Sequence, residues 1–242
     1  MATSVPHVTF PQPDVPAPVD VVLPCLDEAG ALPWVLSRLP AGYRAIVADN
    51  GSRDGSAELA RGLGATVVAA TPRGFGAAVH AGLLAATADV VCICDADGSL
   101  DLAQLPRLVA RLERPADRPG SSPAAGADLV LGRRRPTGRG AWPAHARLAN
   151  AVLARKLRRR GGARLHDLGP MRAAHRVPLL GLGIVDRRFG YPLEMLVRAA
   201  EAGWRSPDTY VEYPQGYAVS KVSGIMGGTV LTVRYRSAVL AR

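Results

Sequence analysis

The sequence predicts an α/β domain whose sheet is assembled from βα units, and three observations point to it. Short β-rich apolar runs alternate with longer helical patterns from about residue 19 to residue 114. The 242 residues are 48% hydrophobic, enough for one sizeable core. Three of the apolar runs end in acids, at Asp27-Glu28, Asp49-Asn50 and Asp95-Ala96-Asp97. Ligands of open α/β sheets bind beyond the carboxyl ends of the strands, so those are the positions at which chemistry is expected.

Each element has its own warrant. Val19–Leu23 is an apolar run, after which Pro24 and Asp27-Glu28-Ala29-Gly30 open a helix to Leu39. Tyr43–Ala48 is a second strand, and Ser52 or Asp54 caps the helix that follows to Leu63, because either side chain offers an oxygen to unpaired backbone N–H groups. Ala65–Ala69 is a third strand; Gly74–Ala86 is a helix with Phe75, Val79, Leu83 and Ala86 on one face. Asp89–Cys94 is the fourth strand and Leu102–Leu112 another helix. Prolines at 115, 119 and 123 make 114–126 a loop. Asp128–Leu131 reads as a strand ending at Arg133-Arg134-Arg135, and Pro143–Arg160 as a basic helix stopped by Gly161-Gly162. Beyond it come a His166–Pro170 turn, a helix near Pro192–Ala202, a strand near Thr209–Tyr213 and an amphipathic stretch from Thr229.

Composition narrows the function classes. Thirty Lys+Arg against 20 Asp+Glu give a net charge of +10, which favours polyanionic partners or is simply a basic soluble surface. Charge alone suggests a nucleic-acid binder, but no helix-turn-helix, zinc or stacking pattern accompanies it, and 5% aromatics leave few platforms for bases. Cys25, Cys92 and Cys94 lie in apolar stretches at no metal-ligand spacing and read as reduced core residues. Residues 1–18 carry five prolines and form a flexible arm without the basic start and apolar run of a signal peptide. No stretch approaches the ~18 apolar residues of a membrane span. The expected location is cytoplasmic, with peripheral contact at the inner face of a membrane as the alternative.

Asp95 and Asp97, at i and i+2 just past a buried strand, are placed to converge on one divalent ion. Hard cations such as Mg²⁺ or Mn²⁺ suit carboxylates together with diphosphate oxygens. An isolated Asp-x-Asp is more often a pair of turn acids, and its position at the sheet rim is what raises this one. Arg73-Gly74-Phe75-Gly76 precedes a helix, so its guanidinium and backbone N–H groups are candidates for ribose or phosphate; the plainer reading is a loop-to-helix connection.

Four segments in this order resemble family-2 glycosyltransferases of the GT-A fold, and within them the polyprenyl-phosphate (dolichyl-phosphate) mannosyl- and glucosyltransferase-like branch. They are Val21–Glu28, Val47–Ser56, Arg73–Ala78 and Cys94–Asp97, with weaker matches at Val130–Arg134 and Ser220-Lys221. The resemblance implies a single Rossmann-like nucleotide-diphosphate-sugar domain over 19–242, with a mixed, mainly parallel sheet and helices on both faces. Residues 19–135 would form its donor-binding part and 136–242 its acceptor-binding part. It also implies an inverting, metal-dependent transferase acting on a UDP-, GDP- or dTDP-sugar. Pro24, Leu26, Glu28, Asp49, Asn50, Arg73, Gly74, Asp95, Ala96 and Lys221 would hold the donor nucleotide and diphosphate, and Asp95 and Asp97 the metal. Ser99 stands where the family often has a glutamine near the metal.

The acceptor implied is a polyprenyl phosphate or a small-molecule phosphate or alcohol. Arg133 and Arg147 resemble acceptor-phosphate ligands, since arginine meets phosphate with two parallel hydrogen bonds. An alcohol would need a carboxylate base, for which Asp167 is the first choice and Glu194 the second; a phosphate, already anionic, needs none. Sugar-nucleotide pyrophosphorylases are the alternative with related chemistry, but residues 21–30 lack the lysine or arginine of their glycine-rich start.

Overall fold

The computed structural model describes residues 19–112, 127–137, 148 and 166–213. Among these, strands β1 (Val19–Cys25), β2 (Tyr43–Asp49), β3 (Thr66–Ala69), β4 (Val90–Ile93), β5 (Leu129–Pro136), β6 (Arg172–His175) and β7 (Asp208–Tyr213) form one sheet in the order β3-β2-β1-β4-β6-β5-β7. All run parallel except β6, which is antiparallel to both its neighbours, β4 and β5. The helices are α1 (Leu32–Ser37), α2 (Ser56–Gly62), α3 (Phe75–Ala85), α4 (Leu105–Val109), α5 (Arg176–Gly181) and α6 (Tyr191–Glu201).

Strand alternation divides the core into two layers. Val21, Leu23, Val47, Cys92, Val130 and Val211 face α1, α2 and α4 on one side. Val22, Ile46, Val91, Ile93, Leu129 and Leu131 face α3 and α6 on the other. Helix α3 comes close to β1 because Gly82 faces it: a Cβ there would stand 2.3 Å from Val22 Cγ1. At the opposite end of the strands from the predicted site, fully buried Asp20 binds both Arg44 Nε and Nη2 at 2.8 Å and accepts from the N–H groups of Thr87 and Ala88.

Several boundaries move, each for a physical reason. Strand β1 continues through Pro24 to Cys25; β4 pairs with β1 only as far as Val22, so the missing proline N–H lies past that ladder. Helix α1 begins at Leu32 rather than Asp27, because Asp27 at φ 55 turns the chain first. Neither Ser52 nor Asp54 is the N-cap of α2; that position is Gly55, and Asp54 instead accepts from Ser56 N at 3.0 Å. The helix expected over Leu102–Leu112 is split into a 3₁₀ turn, Leu102–Gln104, and α4, with Pro106 at the start of α4. Strand β5 does not end at the arginines but carries them, because β7 pairs with Leu131–Pro136.

Strand β6 and helix α5 appear where no regular element is expected. Arg-Ala-Ala-His, with all four residues buried, has neither alternation nor a β-branched side chain to mark it as a strand. The arm at 1–18, the loop at 114–126, the tail from Thr229, and the predicted ligands Arg147 and Lys221 lie outside the described residues. Of the predicted basic helix, only Leu148 is described, and it is helical.

Candidate active site

The carboxyl ends of β1, β2, β4, β5 and β7 and the amino end of β6 lie on one rim of the sheet, and four loops meet there. Two of them interlock. Asp27 N donates to Ser52 Oγ at 2.9 Å, and Asp27 Oδ1 accepts from Arg53 N at 2.6 Å. Glu28 N donates to Ser56 Oγ at 2.8 Å and Ala29 N to Asp54 Oδ2 at 2.9 Å. The β1–α1 and β2–α2 loops thus satisfy one another's backbone groups, which fixes the half-buried Leu26 and Glu28 beside Asp49. The Asp49 carboxylate accepts from Gly51 N at 3.2 Å and from Ser52 N at 3.3 Å, holding the turn after its strand.

Asn50 is a buried clip rather than a surface ligand. Its Nδ2 donates to Ala70 O at 2.9 Å and Pro72 O at 3.3 Å, while Oδ1 accepts from Gly74 N at 2.6 Å. The N-terminal amides of α3, expected to meet phosphate, are largely taken: Gly76 N donates to Arg188 O and Ala77 N to Arg187 O. A Cβ at Gly74 would stand 2.2 Å from Arg187 O, and one at Gly76 2.6 Å from Tyr191 Cβ. These glycines admit the 184–190 segment against the start of α3. Arg73 donates to Gly51 O at 2.7 Å and remains exposed at the rim, so of this motif the guanidinium is what faces outward.

Glu194 anchors that segment. Its carboxylate accepts from Val185 N at 3.1 Å, Asp186 N at 2.7 Å and Arg198 Nε at 2.7 Å. Burial raises its pKa, but the two backbone N–H groups and then Arg198 outweigh it and hold the carboxyl below its usual range. Such a carboxylate accepts a proton less readily than a free one.

Asp95, Ala96 and Asp97 follow β4 after Cys94, with Ala96 buried and the two acids half-buried. Asp97 Oδ1 accepts from Ser99 N at 2.9 Å, closing a tight turn around Gly98 at φ 73. Strand alternation turns Arg134 and Arg133 to opposite sides of β5. Arg134 binds Asp167 through Nε (3.0 Å) and Nη2 (2.8 Å), and its own N–H donates to the same carboxylate at 2.9 Å. Its guanidinium also lies 5.6 Å from the centre of the Tyr213 ring. Arg133 stacks over Tyr210 at 4.9 Å, away from this cluster. The arginine presented toward the acids is therefore Arg134, which sequence reasoning passed over; the strand period would have separated the two had the strand been extended through them.

Asp167 is 2% exposed. Burial pushes its pKa up, but the Arg134 guanidinium and the N–H groups of Arg134 and Gly169 more than offset this and keep it ionised below the usual carboxylate range. A carboxylate in a two-point ion pair positions its partner and does not accept a proton readily. Tyr213, also missed, sets its ring beside the Arg134 guanidinium. Its hydroxyl is raised first by burial, with Arg134 opposing and the negative charges of Asp97 and Asp95 adding to the rise. Arg172, 4% exposed, donates to the Gly169, Leu168 and Pro192 carbonyls and ties the Asp167 turn to α6.

The residues present suit a small divalent cation bound together with its substrate. No group of three or more His, Cys, Asp or Glu side chains converges among the described residues. Mg²⁺ sites that act on nucleotides use one or two carboxylates and leave the remaining positions to phosphate oxygens and water. Asp95 and Asp97 meet that description. Also among the described residues, no helix is long and apolar enough to cross a membrane.

The sheet, with one antiparallel member and an acidic turn after its central strand, is the GT-A fold shared with solved glycosyltransferases. Residues 20–176 match the family described as Glycosyl transferase family 2, and the chain belongs to that family. It is 50% identical over 216 residues to an uncharacterized glycosyltransferase of Mycobacterium tuberculosis (strain ATCC 25618 / H37Rv), covering 89% of this chain and 94% of that one. It is 28% identical over 214 residues to the dolichyl-phosphate hexose transferase of Haloferax volcanii, covering 87% and 89% of the two chains. Among solved structures, glucosyl-3-phosphoglycerate synthase from M. tuberculosis, in complex with Mn²⁺, UDP and glucosyl-3-phosphoglycerate, superposes with a TM-score of 0.66 at 22% identity. That match covers 96% of this chain and 85% of the other, and it shows the fold.

Proposed function

We propose that this protein is an inverting, metal-dependent glycosyltransferase that moves a sugar from a nucleotide-diphosphate donor to a phosphate-bearing acceptor, with a polyprenyl phosphate as the first choice. The observation that carries the acceptor class is the state of the two carboxylates suited to act as bases. Asp167 and Glu194 are both committed to arginine pairs and backbone donors, and both are held ionised below the usual range. An alcohol acceptor needs a base near its attacking hydroxyl. A phosphate oxygen attacks as an anion and needs only to be held.

Arg134, locked in direction by Asp167, is the residue we assign to that phosphate, in place of Arg133. Asp95 and Asp97 would hold Mg²⁺ or Mn²⁺, which supplies charge neutralisation to the departing diphosphate. Glu28 and Asp49 stand where the nucleoside would lie, with Arg73 at the ribose or phosphate. The name of the dolichyl-phosphate hexose transferase, and the Mn²⁺ and UDP in the complex of glucosyl-3-phosphoglycerate synthase, support this reading.

The test is transfer from UDP- and GDP-hexoses to a polyprenyl phosphate and to the matching dephosphorylated polyprenol. Product from the phosphate alone is expected. Equal transfer to the alcohol would overturn the acceptor assignment.

A further inference from the structure

Arg172 is the first residue of β6, pairs across the sheet with Ile93 and Leu131, and is 4% exposed. Its guanidinium folds back over the turn that precedes the strand. Nε donates to Gly169 O at 2.9 Å and Nη2 to Leu168 O at 2.7 Å. Nη1 reaches α6, donating to Pro192 O at 2.8 Å and lying 3.2 Å from Met195 Sδ. The two turn carbonyls belong to the residues that follow Asp167. Gly169, at φ 54, closes the turn, and its N–H donates to Asp167 Oδ1 at 3.3 Å. Asp167 in turn accepts from Arg134 Nε and N through Oδ2 and from Nη2 through Oδ1. One planar fork therefore holds the backbone that carries the partner of Arg134 against the first turn of α6, whose Tyr191, Leu193, Met195 and Leu196 are buried. A buried guanidinium is costly unless hydrogen-bonded, and its rigid fork fixes the spacing of the groups it joins.

We infer that Arg172 is a positioning residue for the acceptor side: by holding the Leu168 and Gly169 carbonyls against α6 it fixes the Asp167 turn, and through Asp167 it sets the direction of Arg134 without touching the acceptor itself. This rests on the assignment of Arg134 to an acceptor phosphate and adds to it a buried residue that acts through it. Lysine at 172 keeps the charge but offers a point donor on a flexible stem, so it does not span the two turn carbonyls and α6 together. Glutamine keeps a planar group with N–H donors but is shorter and uncharged. Either change loosens the turn while leaving the backbone pairing of β6 in place.

The experiment uses the full chain and the variants Arg172→Lys, Arg172→Gln and Arg134→Lys, with Arg172→Lys and Arg134→Lys also combined. Transfer is followed from UDP-glucose and from GDP-mannose to undecaprenyl phosphate in detergent micelles, each substrate being varied in turn. The Arg172 variants should raise the KM for the lipid phosphate by about three- to tenfold, the scale of one hydrogen bond, and leave the KM for the nucleotide sugar within about twofold. The combined variant should be no worse than Arg134→Lys, because Arg172 acts through Arg134. A lipid-phosphate KM that does not move, equal losses for both substrates, or additive losses in the combined variant would overturn the inference. So would the absence of cooperative thermal unfolding in both Arg172 variants, which would make Arg172 a residue that the whole fold needs. If the wild type transfers from neither donor, the acceptor reading falls by itself. The Arg134 Nε–H signal in nitrogen-15 NMR spectra, identified by its loss in Arg134→Lys, then decides the positioning. Hydrogen exchange of that group at least about threefold faster in Arg172→Lys upholds the inference, and an unchanged rate refutes it.

Discussion

Replacing Asp167 with asparagine tests whether the Arg134 pair organises the acceptor side. The carboxylate is 2% exposed and accepts Arg134 Nε, Nη2 and N at 3.0, 2.8 and 2.9 Å, with Gly169 N at 3.3 Å. Asparagine keeps one acceptor oxygen but removes the charge and sets an NH₂ group against the guanidinium. Removing one member of a buried pair costs about 3–5 kcal/mol. Because the Arg134 side chain is 17% exposed and water can reach part of it, the expected loss is about 3 kcal/mol, the lower end of that range. Urea unfolding at pH 7 reads it directly. Adding Arg134→Met to Asp167→Asn should recover at least ~1 kcal/mol, because the stranded charge is gone. A loss below ~1 kcal/mol for Asp167→Asn, with no recovery in the double variant, would refute the claim that this pair is a buried organising contact.

Four further outcomes are expected. Gly74→Ala should cost roughly 1–3 kcal/mol and shift the 184–190 segment, since the new Cβ meets Arg187 O at 2.2 Å; an unchanged melting curve would contradict it. Gly82→Ala should destabilise by a similar amount, roughly 1–3 kcal/mol, and Val22→Ala in the same chain should relieve part of it, because the clash is with Val22 Cγ1; additive losses would count against the close approach of α3 and β1. Asp20, Asp167 and Glu194 all have lowered folded-state pKa values, so their contribution is fully present above the ordinary carboxylate range and is lost as pH falls through the lower folded values. Urea midpoints should accordingly be flat from about pH 5.5 to 7 and fall below about pH 4, and a midpoint rising toward acid pH would contradict the sign. Arg134→Lys should weaken capture of a polyprenyl phosphate by about tenfold or more while leaving UDP or GDP affinity within about twofold, because lysine cannot reproduce the fork that Asp167 orients; parallel losses in both would remove Arg134 from the acceptor side.

The first strands and the acidic turns after them were legible because their information is local. Strands β1, β2 and β4 are runs such as Val90-Val91-Cys92-Ile93, and the acids follow them at once in sequence. The pairing of β5, β6 and β7 was not, because it is made across long separations. Strand β6 is four buried residues without a pattern, and only its insertion between β4 and β5 brings Asp167 to Arg134. Arg133 and Arg134 are indistinguishable until β7 extends the strand through both and alternation assigns their sides. Gly74 and Gly76 read as a ligand-facing loop, yet the space they open is filled by residues 186–191, more than 100 positions away. The partner of Asp167, Arg134, lies 33 positions away and is visible only in the fold, whereas Arg198 is one helical turn from Glu194 and could be read from the sequence.

The central claim is that Asp95 and Asp97 bind a nucleotide diphosphate through a divalent cation. Thermal unfolding with UDP, GDP and dTDP, each with Mn²⁺, Mg²⁺ or EDTA, tests it on the wild type and on Asp95→Asn and Asp97→Asn. A ligand that binds only the folded state raises the melting temperature by mass action. The account predicts that one nucleotide stabilises the wild type in the presence of metal, and that EDTA or either substitution removes the shift. A nucleotide shift that survives EDTA and both substitutions would contradict it.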